Sequence, residues 1–265
     1  MSVGAAVRLR PRSTAVLLVA STGGLAAFLW PLIVTPGAVL ETTSAPLVFA
    51  MLLPALLAVV LAEVSEGGID TKAIAMLGVL SAIGAALRPL GAGTAGVELI
   101  FFLLVLAGRV FGPGFGFVLG ATTLFASALL TGGVGPWMPF QMLGAGWFGL
   151  GAGLLPAARG RVEIALLAAY GSVAALLYGA LMNLSFWPFA LGEHTQLSFD
   201  ASRSLLDNLQ AFVLFTLSTS MAWDIGRALT TGVLVVLTGP AVLAALRRAA
   251  RRAAFAAPVE FEPGR

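Results

Sequence analysis

The sequence predicts an all-α, polytopic membrane protein, and three observations carry that reading. The chain of 265 residues is 59% hydrophobic and only 10% charged, where a soluble domain carries about 25% charged residues. Its apolar runs are continuous rather than alternating, which selects helices over a barrel. Its main arginine clusters fall between those runs so that eight spans would put all of them on one side of a bilayer. With a mean hydropathy of +0.99, lipid is the chain's main solvent.

The elements follow in order. Arg8, Arg10 and Arg12 precede an apolar run over 14–34, about 20 residues, long enough to span and without a cleavage motif, so it reads as a retained first helix. A second run covers 46–63. These two transmembrane helices make an amino-terminal extension over 1–70. Runs over 72–87, 97–110, 114–131, 139–156, 162–184 and 224–246 then supply a six-helix core within 71–252, and 253–265 forms a tail. Gly112-Pro113-Gly114 parts two of the core helices, because proline and glycine break the hydrogen-bond ladder.

Orientation is read from arginine. The Arg8/Arg10/Arg12 cluster, Arg109, Arg159 with Arg161, and Arg247/Arg248/Arg251/Arg252 are expected in the cytoplasm, with both termini. The segment 203–223 is apolar enough to span, but a ninth span would carry the last arginines outside. It is therefore expected to lie at, or dip into, the outer face. The outer loops are then 35–45, 88–96, 132–138 and 185–223, the last carrying Trp187, Glu193, His194 and Asp200.

Candidate binding residues gather toward the outer helix ends. The turn from Gly132 to Met142 offers Trp137 and Phe140 beside Gln141; it is either a plain helix breaker or a stacking surface next to an amide, as an apolar ligand with polar edges requires. Arg88 closes one span and Glu98 opens the next, a possible ion pair at the mouth. Asn183 stands four residues before Trp187. Trp223 precedes Asp224 and Arg227, which share a helix face three residues apart and serve either as a helix-start pair or beneath a bound solute. The tryptophans also suit interfacial anchoring. Gly78, Ala82 and Ala86 recur at i, i+4 and i+8, a stripe for internal packing or for docking a second protein, since close van der Waals contact drives association in lipid.

Several chemistries are excluded. No cysteine is present, so thiolate catalysis, disulfides and Cys-based metal sites are absent. His194 is the single histidine, so HExxH and His-rich metal sites are absent too. No Gly-x-Ser-x-Gly elbow marks a hydrolase. No P-loop is present, so the chain uses no ATP of its own by that route, and no cofactor is expected. A net charge of +3 with basic residues at the two ends reads as orientation rather than nucleic-acid binding. The chain is read as a non-enzyme that moves or binds a solute. It draws energy from partners or, alternatively, works as an autonomous ion-coupled secondary transporter, although neither a midplane carboxylate nor convincing repeats are evident.

From about Lys72 to Arg252 the chain resembles the substrate-binding S component of energy-coupling factor (ECF) vitamin transporters, of actinobacterial type. The resemblance rests on GVLSAIGAALRP (78–89), GRVFGPGFGFVLG (108–120), GGVGPWMPFQMLGAGWFG (132–149), and TSMAWDIGRALT (219–230) leading to ALRRAARR (245–252). It implies a six-helix subunit of the bacterial plasma membrane that takes a vitamin or precursor from outside, a cobalamin-like corrinoid being the first expectation. It also implies a transmembrane T component, docked on the Gly78/Ala82/Ala86 stripe, and two ATP-binding-cassette ATPases that alone use ATP. The pocket is expected among 88–98, 133–141 and 183–227, with solute released as the subunit topples in the membrane.

Overall fold

Eight α-helices and no strand account for the regular structure of the described residues, which in this computed structural model are 11–33, 71–91, 94–191 and 195–253. They are α1 (Pro11–Ile33), α2 (Thr71–Leu87), α3 (Phe101–Phe111), α4 (Pro113–Thr131), α5 (Met138–Leu154), α6 (Gly160–Ala190), α7 (Leu205–Thr219) and α8 (Met221–Ala253), with a 3-10 turn over Arg88–Gly91. Among the described residues, five helical stretches are long and apolar enough to cross a membrane: Thr14–Leu32, Thr71–Gly91, Pro113–Thr131, Gly160–Ala190 and Met221–Arg252. The chain is thus a multi-pass, all-α membrane protein. The expected span 46–63, the loop 35–45, Arg8, Arg10, Glu193, His194 and the tail from 254 lie outside the described residues.

Glycine determines how tightly α3, α4 and α5 pack. A Cβ on Gly116 would collide with the Gly149 carbonyl, and one on Gly149 with the Gly116 carbonyl. The two backbones are therefore in direct contact, as small residues permit in lipid. Large side chains fill the flanks: Phe101 meets Phe148 at 4.7 Å between ring centroids, and Phe111 meets Phe115 at 4.6 Å. Ser81 on α2 shares a 2.7 Å hydrogen bond with Thr122 on α4, a polar tie between helices where lipid offers no partner.

Helices α6 and α8 run antiparallel in a regular register. Asn183 meets Ser220, Gly179 meets Asp224, Ser172 donates to the Ala228 carbonyl at 3.0 Å, and Ile164 meets Gly239. The first helix of the amino-terminal extension is seated on the core. Phe28 is fully buried against Phe140 (4.9 Å) and Trp147 (5.7 Å), Trp147 donates to Ser21 at 2.9 Å, and Trp30 packs on Phe189 and Phe199.

Several boundaries differ from the hydropathy reading: α6 continues to Ala190 rather than ending at 184, so Trp187, expected in the 185–223 loop, is helical, and α8 runs from Met221 to Ala253 rather than over 224–246. Helix α3 starts at Phe101 rather than 97, because residues 94–100 turn over the start of α8. Ala95 and Gly96 take positive φ there (38° and 81°), and Gly96 lies against the Trp223 carbonyl, where no Cβ would fit. The 203–223 segment is the 15-residue helix α7, capped by the Ser204 side chain on the Asp207 amide and ended at Ser220, after which α8 starts at once. About 22 Å of helix is short of the roughly 30 Å hydrocarbon core.

Candidate functional site

The end of the bundle opposite Arg109, Glu163 and Arg247 gathers most of the sequence-predicted polar residues, and helix starts and ends build it. The N-terminus of α8 contributes Trp223, Asp224 and Arg227 on adjoining turns. Arg227 donates from Nε to Glu98 Oε1 at 2.8 Å, reaches the same oxygen from Nη2 at 2.8 Å, and donates from Nη1 to Asp224 Oδ1 at 2.7 Å. Trp223 Nε1 donates to the same Glu98 oxygen at 3.3 Å. Asp224 and Arg227 are only 4% and 6% exposed, so these are desolvated charges that must be paired. The guanidinium also lies 5.2 Å from the Tyr178 ring and 5.8 Å from that of Phe101, within cation–π range. Gly179 makes room for the cluster, since a Cβ there would occupy the Asp224 carboxylate.

A second group stands beside it. Arg88, in the turn that ends α2, donates to Gln141 Oε1 at 3.1 Å and to Ser127 Oγ at 3.5 Å. Gln141 is on the first turn of α5, whose start is defined by Trp137 as the residue before the helix and Pro139 within its first turn, where a missing N–H costs nothing. The preceding turn closes α4 with Gly132 left-handed (φ 66°), its amide bonded to the Ala128 carbonyl. Tyr178 joins the two groups: its ring lies on Gly144, one turn along α5 from Gln141, and faces Arg227 on the other side.

The sequence-predicted residues therefore separate into three sets. Glu98, Trp223, Asp224 and Arg227 come together, as do Arg88 and Gln141. The expected Arg88–Glu98 ion pair is corrected: Arg227 takes Glu98, and Arg88 takes an amide and a hydroxyl instead. Phe140 and Trp187 belong to packing contacts. Phe140 is covered by Phe28 of α1, and Trp187, 1% exposed, donates to the Leu197 carbonyl at 2.6 Å between Phe199 and Phe212. Asn183 donates to Ser220 Oγ at 2.5 Å and Thr216 Oγ1 at 3.4 Å, holding the break between α7 and α8. Trp137 is half exposed, its indole donating to the Gly133 carbonyl at 3.3 Å. Gly78, Ala82 and Ala86 lie on one exposed face of α2, whose buried face is Leu77, Leu80, Ser81, Gly84 and Ala85.

Sequence reasoning missed Tyr178, Phe101 and Ser127. A faint signal existed for the first, since Gly179 and Asn183 are one helical turn apart on the α6 face that meets α8. The cluster brings carboxylates, guanidinium groups, an amide and an indole together beside aromatic rings, with Asp224 and Arg227 buried and paired to one another. No group of three or more His, Cys, Asp or Glu that could hold a metal is present among the described residues.

No curated protein and no solved structure matches the chain. The family profile described as "ECF transporter, substrate-specific component" matches residues 72–246, that is, from the start of α2 to Leu246 in α8, and leaves α1 outside. Proteins of this family are the substrate-binding subunits of transporters that work with T components and ATPases rather than enzymes, and this chain belongs to it.

Proposed function

We propose that the chain captures a vitamin or vitamin precursor, with a cobalamin-like corrinoid as the first candidate, at the Glu98/Arg227/Gln141 end of the bundle. That end faces outside, and the arginine-rich end, with both termini, faces the cytoplasm. The solute is passed on by a T component gripping Gly78, Ala82 and Ala86 and by two ATP-binding-cassette ATPases. The observation that carries the reading is the convergence of buried, paired charges from separate segments at the end of the bundle opposite Arg109, Arg159, Arg161 and Arg247. Charged groups are costly in a membrane protein and are by default candidates for functional sites.

The test is ligand retention without ATP. The purified subunit should carry a vitamin detectable by mass spectrometry, and calorimetry with hydroxocobalamin should give saturable binding. Trp137→Ala, Gln141→Ala and Asp224→Asn should each weaken that binding by about 1–3 kcal/mol, and Glu193→Ala should not. Equal affinities across the set would place the site elsewhere. Gly78→Leu, Ala82→Leu and Ala86→Leu combined should abolish co-purification with the partners while leaving solute binding intact. Solute accumulation by the subunit alone in vesicles would instead establish a secondary carrier.

A further inference from the structure

The arginine-rich end of the bundle contains a groove that solute capture does not use. It lies between the first turns of α6 and the second half of α8, with a volume of about 660 Å³. Its floor is apolar: Ile164, Ala165, Val236, Pro240 and Leu243. Its mouth is charged, with Arg161, Glu163 and Arg247. The charges at the mouth do not cancel. Glu163 is 2% exposed, and its Oε1 already accepts from Arg109 Nε at 2.8 Å and Arg247 Nη2 at 2.6 Å. Arg161 is exposed, and the side chain of Arg247 is 32% exposed, so most of its five donors remain open to a further acceptor. Arg248, Arg251 and Arg252 follow on α8, with Glu163 the single acid at this end among the described residues.

The dimensions also select an occupant. From Arg247 back to Val236 the floor runs eleven residues along α8, about 16 Å of helix rise. One leaflet of the hydrocarbon core is about 15 Å deep. Both walls are helices long and apolar enough to cross the membrane, and Val236 is 53% exposed, so the groove opens sideways toward lipid. A positively charged mouth at the level of the headgroups above an apolar channel one leaflet long is complementary to an anionic amphiphile. A soluble anion would leave the channel unfilled.

We propose that this groove is a binding site for one anionic phospholipid, its phosphate held by Arg161 and Arg247 and one acyl chain laid along Ala165, Val236 and Pro240. The site holds the inner ends of α6 and α8 together beside the Arg109–Glu163–Arg247 network. It is independent of what the opposite end binds.

The experiment is native mass spectrometry of the full chain released from vesicles of equal phosphatidylglycerol and phosphatidylcholine. One phosphatidylglycerol should be retained in preference to phosphatidylcholine. Arg161→Gln should lower that preference about fivefold, the value of one arginine near a lipid headgroup. Ala165→Trp, which fills the channel and leaves every charge in place, should remove the retained lipid while the protein still elutes as a folded species. An excess of inorganic phosphate should leave the lipid bound. Equal retention of both lipids, unchanged phosphatidylglycerol retention in either variant, or displacement by inorganic phosphate would each overturn the proposal.

Discussion

Replacing Arg227 by methionine tests whether the Glu98–Arg227–Asp224 cluster is a desolvated ionic unit. The substitution keeps much of the aliphatic volume over Phe101 and Tyr178 but removes three charge-assisted contacts of 2.7–2.8 Å. Two carboxylates are left facing one another. Glu98, whose side chain is 21% exposed, can turn toward water. Asp224, at 5% side-chain exposure and lying against Gly179, has no such route. Breaking a buried pair by removing one partner costs about 3–5 kcal/mol. At about 2–4 °C per kcal/mol for a chain of this size, the melting temperature should fall by roughly 6–20 °C.

Two further variants make the reasoning refutable. Glu98→Gln leaves Arg227 paired with Asp224 and should cost only about 1 kcal/mol. The triple variant Glu98→Gln, Arg227→Met, Asp224→Asn removes every charge together. Neutral replacement of a whole buried ionic group is far milder than halving it, so the triple variant should melt above Arg227→Met alone. Thermal unfolding in detergent, followed by tryptophan fluorescence, reads all three, with Trp223 hydrogen-bonded to the cluster itself. If Arg227→Met melts with Glu98→Gln, or the triple variant melts no higher than Arg227→Met, the charges are not buried as described.

Phe28→Ala should open a cavity between Phe140 and Trp147 and destabilise the fold by about 3–5 kcal/mol, with a red shift of Trp147 emission; an unchanged melt and spectrum would mean that α1 is not seated on α5. Glu163→Gln should leave Arg109 and Arg247 without a counter-charge and cost about 3 kcal/mol, and adding Arg109→Met should recover part of it, as read by the same melts.

Hydropathy made the core helices legible because lipid demands long apolar runs and internal hydrogen bonding whatever their neighbours. Contacts between distant residues were not legible. Glu98 was read beside Arg88, ten residues away, yet its partner Arg227 lies 129 residues on. That pairing depends on Gly96 resting on the Trp223 carbonyl, a contact no local pattern announces. By contrast the Asp224–Arg227 spacing was readable, since three residues on a helix bring side chains onto one face. Phe140 and Trp187 looked like free aromatic surface because their covers, Phe28 and Phe199, come from other parts of the chain. Tyr178 escaped notice because a tyrosine inside an apolar run carries no periodic signal of its own.

The placement of α2 joins the two halves of the functional reading. Its exposed small face ends at Ala86, two residues before Arg88, and Arg88 donates to Gln141 at the site. Its buried face ties to α4 through Ser81 and Thr122, and Gly84 lies against Thr123. Helix α4 in turn meets α5 backbone to backbone at Gly116 and Gly149. A partner gripping the small face, as proposed above, would act on a helix whose end is part of the polar cluster, through backbone contact at the α4–α5 step. Close-packed interiors transmit such displacement rather than absorb it. Helix α1 is seated on α5, α6 and α7 and leaves Gly78, Ala82 and Ala86 exposed. The amino-terminal helix thus braces the aromatic flank without covering the face proposed for partner docking.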